Sequence, residues 1–119
     1  MPKHFFNRCD LSSLKSVREC AEDINEKEER IDVLINNAGV MMCPYSKTED
    51  GFEMQIGTNH FGHFLFTRLL LDKIKASAPA RIVTVSSLAH ETGSVDLDDL
   101  HWERRDYSRI AAYNQVYFY

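Results

Sequence analysis

The 119-residue sequence has little of what marks several common protein classes. Its three cysteines, Cys9, Cys20 and Cys43, are an odd number with no CxxC pair, which argues against a disulfide framework or a zinc ribbon. They read as buried thiols in a reducing compartment. Lysine and arginine are scattered rather than blocked, and the formal charge is -4. That leaves no electrostatic footprint for nucleic acid or anionic lipid, so a small-molecule partner is expected. The richest apolar stretch, FGHFLFTRLLL, is interrupted by His63 and Arg68 and is too short for a bilayer. The opening MPKHFFNRCD lacks the apolar core of a signal peptide, so the chain reads as soluble and intracellular. There is no internal repeat and no low-complexity segment.

What is present is 44% hydrophobic side chains, enough for one modest core, so residues 1–119 are expected to form a single domain. HFFNRCD, His4 to Asp10, fits a strand leading into a turn. Ser12 or Ser13 can cap a helix whose apolar Leu14, Val17, Ala21 and Ile24 fall three or four apart. IDVLIN, Ile31 to Asn36, is almost continuously apolar, as a strand buried on both faces of a parallel sheet would be. Ser46 and Glu49 have capping-box spacing ahead of a long helix expected over 51–75, with apolar residues on several sides. RIVTVSS, Arg81 to Ser87, is a third buried strand, and residues 91–109 read mostly as loop. Strand, helix, strand, helix, strand implies right-handed crossovers and a three-stranded parallel sheet, part of a doubly wound α/β fold.

Ligands of open α/β sheets bind outside the carboxyl ends of the strands. Each expected strand here ends in small or polar residues: Asp10, then Asn36 to Gly39, then Ser86 and Ser87. Taken singly, each is also ordinary turn chemistry. Jointly, NNAG after a buried strand, Asn59 within a long helix, VSS closing the next strand and the later Tyr113 closely resemble the short-chain dehydrogenase/reductase family. LINNAGVMMCPYSKTEDGFE, TNHFGHFLFTRLLLDKIKASAPARIV and VSSLAH are similar to its retinol dehydrogenase branch. The resemblance runs from about Arg8 to Gln115.

It implies a partial Rossmann-like NAD(P)-binding domain that interconverts an alcohol and an aldehyde or ketone, with a retinoid as the substrate class. NADP is the expected cofactor, with NAD open. By the same resemblance Asp10 and Leu11 flank the adenine, and Asn37, Ala38 and Gly39 border the cofactor. Ser87 polarises the substrate oxygen, Tyr113 is the general acid/base, and Asn59 supports a proton relay. Such chemistry moves a hydride and a proton together, so a proton carrier must stand beside an oxygen-polarising hydroxyl.

Two departures stand out. No TGxxxGxG turn to cradle a pyrophosphate occurs, so the chain is expected to begin at the family's third strand. In place of the Lys of YxxxK, Tyr113 is followed four residues later by Tyr117, and VYFY replaces the expected SK. An unaided phenol titrates near 10, so this form is expected to be a weak enzyme or none. The alternative is a non-catalytic fragment that associates with a full-length relative: the resemblance implies pairing through the helix carrying Asn59 and the helix carrying Tyr113, so a homo- or heterodimer through the helix expected over 51–75 is open. Full-length relatives are associated with endoplasmic reticulum or mitochondrial membranes. His60 and His63, three apart, lack further ligands in register, so no metal is expected and packing in a helix interface is the simpler reading. Met41 and Met42 either line an apolar substrate cleft or fill core gaps.

Overall fold

The computed structural model describes residues 7–118. Ser13 caps the first helix, its Oγ accepting from Ser16 N at 3.2 Å, and α1 (Leu14–Lys27) buries Val17, Cys20 and Ala21. The stretch before it differs from expectation. His4 to Phe6 lie outside the described residues, and Asn7 to Asp10 form no strand. Asp10 bonds locally instead: its N donates to Ser16 Oγ at 2.9 Å and its O accepts from Ser13 N at 3.1 Å. Among the described residues the sheet therefore has two strands rather than three, β1 (Val33–Asn36) and β2 (Arg81–Thr84). They run parallel, with Val33 opposite Arg81 and Asn36 opposite Thr84.

The strands are shorter than the apolar runs that announced them. Ile31 N is held by Ser77 Oγ at 2.9 Å, outside the ladder. Double burial is also corrected. Leu34 is buried with Ala21 of α1 and with Leu70 and Ile74 of the long helix, so both helices cover one face of the sheet. On the other face Val33 and Ile35 are 49% and 60% exposed, and the register puts Val83, also exposed, beside them. The cysteines are free, but only Cys20 is buried; Cys9 and Cys43 are half-buried, because both lie in loops.

The long helix starts later than expected and is not uniform. It comprises α2 (Met54–Ile56), a π-helical stretch over Gly57–Gly62, and α3 (His63–Ala76), with helical dihedrals at Ile56, Gly57, Gly62 and His63 keeping one axis. Ser46 and Glu49 do not cap it. Glu49 instead accepts from Ser13 Oγ, and Glu53 closes the N-terminus by accepting from Gln55 N and Ile56 N, each at 3.0 Å. Glu53 has no exposure at all, and the free N–H groups of a helix start are where a buried carboxylate is best supported. The Tyr107 hydroxyl also donates to it at 2.8 Å. Among the described residues no helix is long and apolar enough to cross a membrane.

Beyond β2 come a 3-10 turn (Leu88–Thr92) and α4 (Arg109–Val116), capped by Ser108. The polar loop between them is well built. Trp102 is buried with the Arg105 guanidinium 3.6 Å from its ring centre, and Gln115 Nε2 donates to Leu100 O at 3.0 Å. The 3-10 turn rests on α4, where Asn114 Nδ2 donates to Thr92 Oγ1 at 2.9 Å.

Leu70→Ala is expected to lower stability by about 2–5 kcal/mol, because it opens a cavity among Ala21, Leu34 and Ile74. Ile35→Thr on the exposed face should cost about 0.5 kcal/mol or less. Urea unfolding of the two variants checks the assignment of the buried face.

Candidate functional site

The polar stripe Gln55, Asn59 and His63 shapes the rim. Residues four apart stack on one helix face, rising about 6 Å per step, and two residues of extended chain span about 6.6 Å. The helix therefore serves every second residue of the segment after β1. His63 Nε2 lies 2.7 Å from Ala38 O. Asn59 holds Val40 twice, Oδ1 accepting from its N–H at 2.8 Å and Nδ2 donating to its carbonyl at 2.7 Å. Gln55 Oε1 accepts from Met42 N at 2.8 Å, fixing Met42 in a left-handed conformation at φ 51°.

Two glycines permit the close approach. A Cβ on Gly39 would stand 2.8 Å from Asn59 Oδ1, and one on Gly62 would collide with the backbone oxygen of Leu11. The Asp10–Leu11 loop and the Ala38–Gly39 turn thus converge on the π-helical stretch. They enclose a groove of about 370 Å³ lined by Asp10, Leu11, Ala38 and Gly39, with Arg8, Cys9, Val40 and Thr58 completing it. Asn37, also expected at this border, is exposed beside the groove and is not among its lining residues. Hydrogen bonds from Ser12 Oγ (2.6 Å) and Ser12 N (2.9 Å) hold the Asp10 carboxyl below its ordinary range. Burial, with Cys20 adding to it, pushes the Cys9 thiol up to about 12.

Tyr113 sits on α4, with the Tyr117 ring 4.9 Å away, centre to centre, and tilted by 59°. Burial first, then the neighbouring Tyr113, pushes the Tyr117 phenol up to about 12, with Asn59 acting in the opposite sense. Asn59 and Tyr113 thus both act on Tyr117. Ser87, half-buried, stands at the head of the 3-10 turn that lies on α4, where its Oγ accepts from Ala89 N at 3.2 Å. Burial, then the neighbouring His63, lowers the His60 pKa below its ordinary value. Met41 and Met42 are 60% and 42% exposed, so neither fills a core gap.

Sequence reasoning missed the parts played by Gln55, His63 and Tyr107. The signal for the first two was present: with Asn59 they make three hydrogen-bonding side chains at spacing four. Tyr107 meets Glu53 across a loop of no regular period, and nothing local announces that contact.

Gly39→Ala should force the Asn59 amide off Val40 and lower stability by about 1–3 kcal/mol. Because the two positions share one contact, Gly39→Ala combined with Asn59→Ala should cost less than the sum of the single changes, as a double-mutant cycle in urea would record.

The chain matches the family described as short chain dehydrogenase over residues 2–97. It is 66% identical over 106 residues to human retinol dehydrogenase 13, covering 89% of this chain and 32% of that protein. With human retinol dehydrogenase 12 it shares 58% over 106 residues, 89% of this chain and 33% of that one. It therefore spans about a third of the length of these curated relatives. Among solved structures, an uncharacterised protein of Mycobacterium paratuberculosis superposes with a TM-score of 0.79 at 50% identity, covering 92% of this chain and 38% of that one. The Pseudomonas aeruginosa RhlG/NADP complex superposes at 0.64 with 25% identity, covering 92% and 41%. The chain belongs to the short-chain dehydrogenase family.

Proposed function

We propose that this protein takes part in the NADP(H)-dependent interconversion of an alcohol and an aldehyde or ketone, with a retinoid as the substrate class. The observation that carries the reading is the place of Asn59, whose amide holds Val40 at the wall of the groove from the same helix stretch that receives the Leu11 backbone at Gly62. The retinol dehydrogenases among the relatives and the NADP bound by RhlG support the substrate class and the cofactor.

The groove residues fit the adenosine end of a dinucleotide. Asp10 offers a carboxylate, Leu11 an apolar edge, and Ala38 and Gly39 a backbone with no bulky side chain. A bound nicotinamide would supply or accept the hydride. Tyr113 would hold the proton at its phenolic oxygen, and Ser87, released from Ala89 N, would steady the substrate oxygen. Exposed Met41 and Met42 offer soft apolar surface next to the groove, suited to a polyene chain. Since Tyr117 stands where the family's pattern has Lys four residues after Tyr113, turnover by this chain is expected to be slow.

A second reading is favoured by Phe64, 61% exposed on α3: a non-catalytic partner that docks this helix on a longer relative. Co-purification with such a relative, lost in Phe64→Glu, would favour it.

Titration of NADPH into the purified chain, followed by its fluorescence, tests the leading reading. Saturable binding is expected, weakened about tenfold by Asp10→Ala, the loss of roughly one charge-assisted hydrogen bond. Slow reduction of retinal should fall a further hundredfold or more in Tyr113→Phe. Absence of saturable binding by the folded chain would contradict the reading.

A further inference from the structure

Gln55 has no solvent exposure, and every hydrogen-bonding atom of its side chain is engaged. Oε1 accepts from Met42 N at 2.8 Å, while the two protons of Nε2 go to the Tyr107 hydroxyl at 2.8 Å and to Arg109 O at 3.0 Å. Turning the amide over would set a donor against the Met42 N–H and an acceptor against the Arg109 carbonyl, so one orientation is allowed. That orientation also fixes the proton of Tyr107. Its oxygen takes one Gln55 proton, and its own proton goes to Glu53 Oε1 at 2.8 Å, the same oxygen that accepts from Gln55 N at 3.0 Å. Burial, the largest cause, raises the Tyr107 phenol above its ordinary value; Gln55 acts against it and Glu53 with it, as a donor to that oxygen and an acceptor from it must.

Arg109 opens α4, and in an α-helix the carbonyl of residue 109 is the one that receives the N–H of residue 113. The Gln55 amide thus lands on the turn of helix that leads to Tyr113. Other bonds of α4 lead elsewhere: Asn114 reaches Thr92 of the 3-10 turn, and Gln115 reaches the Leu100 carbonyl in the polar loop. Gln55 ties the head of α4 to the long helix and, through the same amide, to Met42.

We infer that Gln55 is a positioning residue that sets the span between the Met41–Met42 surface and Tyr113, holding Met42 N with one end of its amide and the first carbonyl of α4 with the other. An apolar side chain of the same length would release both ends at once. The use of that span in catalysis rests on the function proposed above, whereas the placement of α4 does not.

The test reads both ends in the whole chain. In the unaltered protein, NMR should show scalar couplings across the hydrogen bonds from Gln55 Nε2 to the Arg109 carbonyl carbon and from Met42 N to Gln55 Cδ; absence of either overturns the inference. Gln55→Met keeps the length of the side chain and removes both bonds. Amide exchange should then quicken about tenfold at Met42 and Tyr113 together while α3 keeps its protection, and residual dipolar couplings should show α4 reoriented against α3. A space-filling role alone would lower the urea midpoint and leave the helix orientation unchanged, which would overturn the inference, as would a change at one of the two amides without the other. In the same variant kcat for retinal should fall about tenfold with the half-saturation for NADPH unchanged. An unaltered kcat beside a reoriented α4 would overturn the inference, whereas a reoriented α4 in a chain that reduces no retinal in either form would sink the proposed function and leave the placement of α4 standing.

Discussion

Three side chains on one face of a helix, Gln55, Asn59 and His63, hold three alternate residues of the segment that follows the first strand. This match between a helical step and an extended step is the constraint on which the rest of the site depends. Backbone groups at the end of a parallel strand have lost their ladder partners, and leaving them unpaired near a packed interface costs about 1–3 kcal/mol each. The helix supplies the partners from its own side chains. Asn59, the middle one of the three, lies in the π-helical stretch over Gly57–Gly62, and such irregular turns commonly accompany functional positions.

Once residues 38–42 are fixed, the neighbouring features follow. Glycine is required at position 39 because Asn59 occupies the space of a side chain, and Gly62 admits the Leu11 backbone on the adjacent side. The loop bearing Asp10 is thereby brought against the same helix turn, closing the groove. Asn59 also acts on the Tyr117 phenol, whose ring lies 4.9 Å from that of Tyr113.

The parts of this arrangement that were legible in the sequence are those written locally. Ser13 caps α1 because its Oγ reaches an N–H three residues on, and the apolar period of that helix needs no distant information. The joint spacing of NNAG, Asn59, Ser87 and Tyr113 was specific enough to carry the family, which the match to short chain dehydrogenase bears out. The strand expected over His4 to Asp10 failed in its described part, since a strand exists through its neighbour and Asn7 to Asp10 have none there. Capping by Ser46 and Glu49 failed for a related reason: Glu49 found Ser13, 36 residues away, and Glu53, buried by Tyr107 from a remote loop, took the helix end. Long-range partners of this kind leave no periodic trace. The exposed sheet face carrying Val33 and Ile35 was misread because an apolar run records what a strand is suited to, not what covers it.

The central claim is that the helix face holds the segment after β1 through the Asn59 and Gln55 side chains. Amide hydrogen exchange at Val40 and Met42, resolved by NMR, measures this most directly. Both amides end on side-chain oxygens of the helix, so the account predicts protection comparable to that of α3 itself, and its loss at Val40 in Asn59→Ala. Exchange of Val40 and Met42 at the rate of an unstructured peptide, while α3 stays protected, would contradict it.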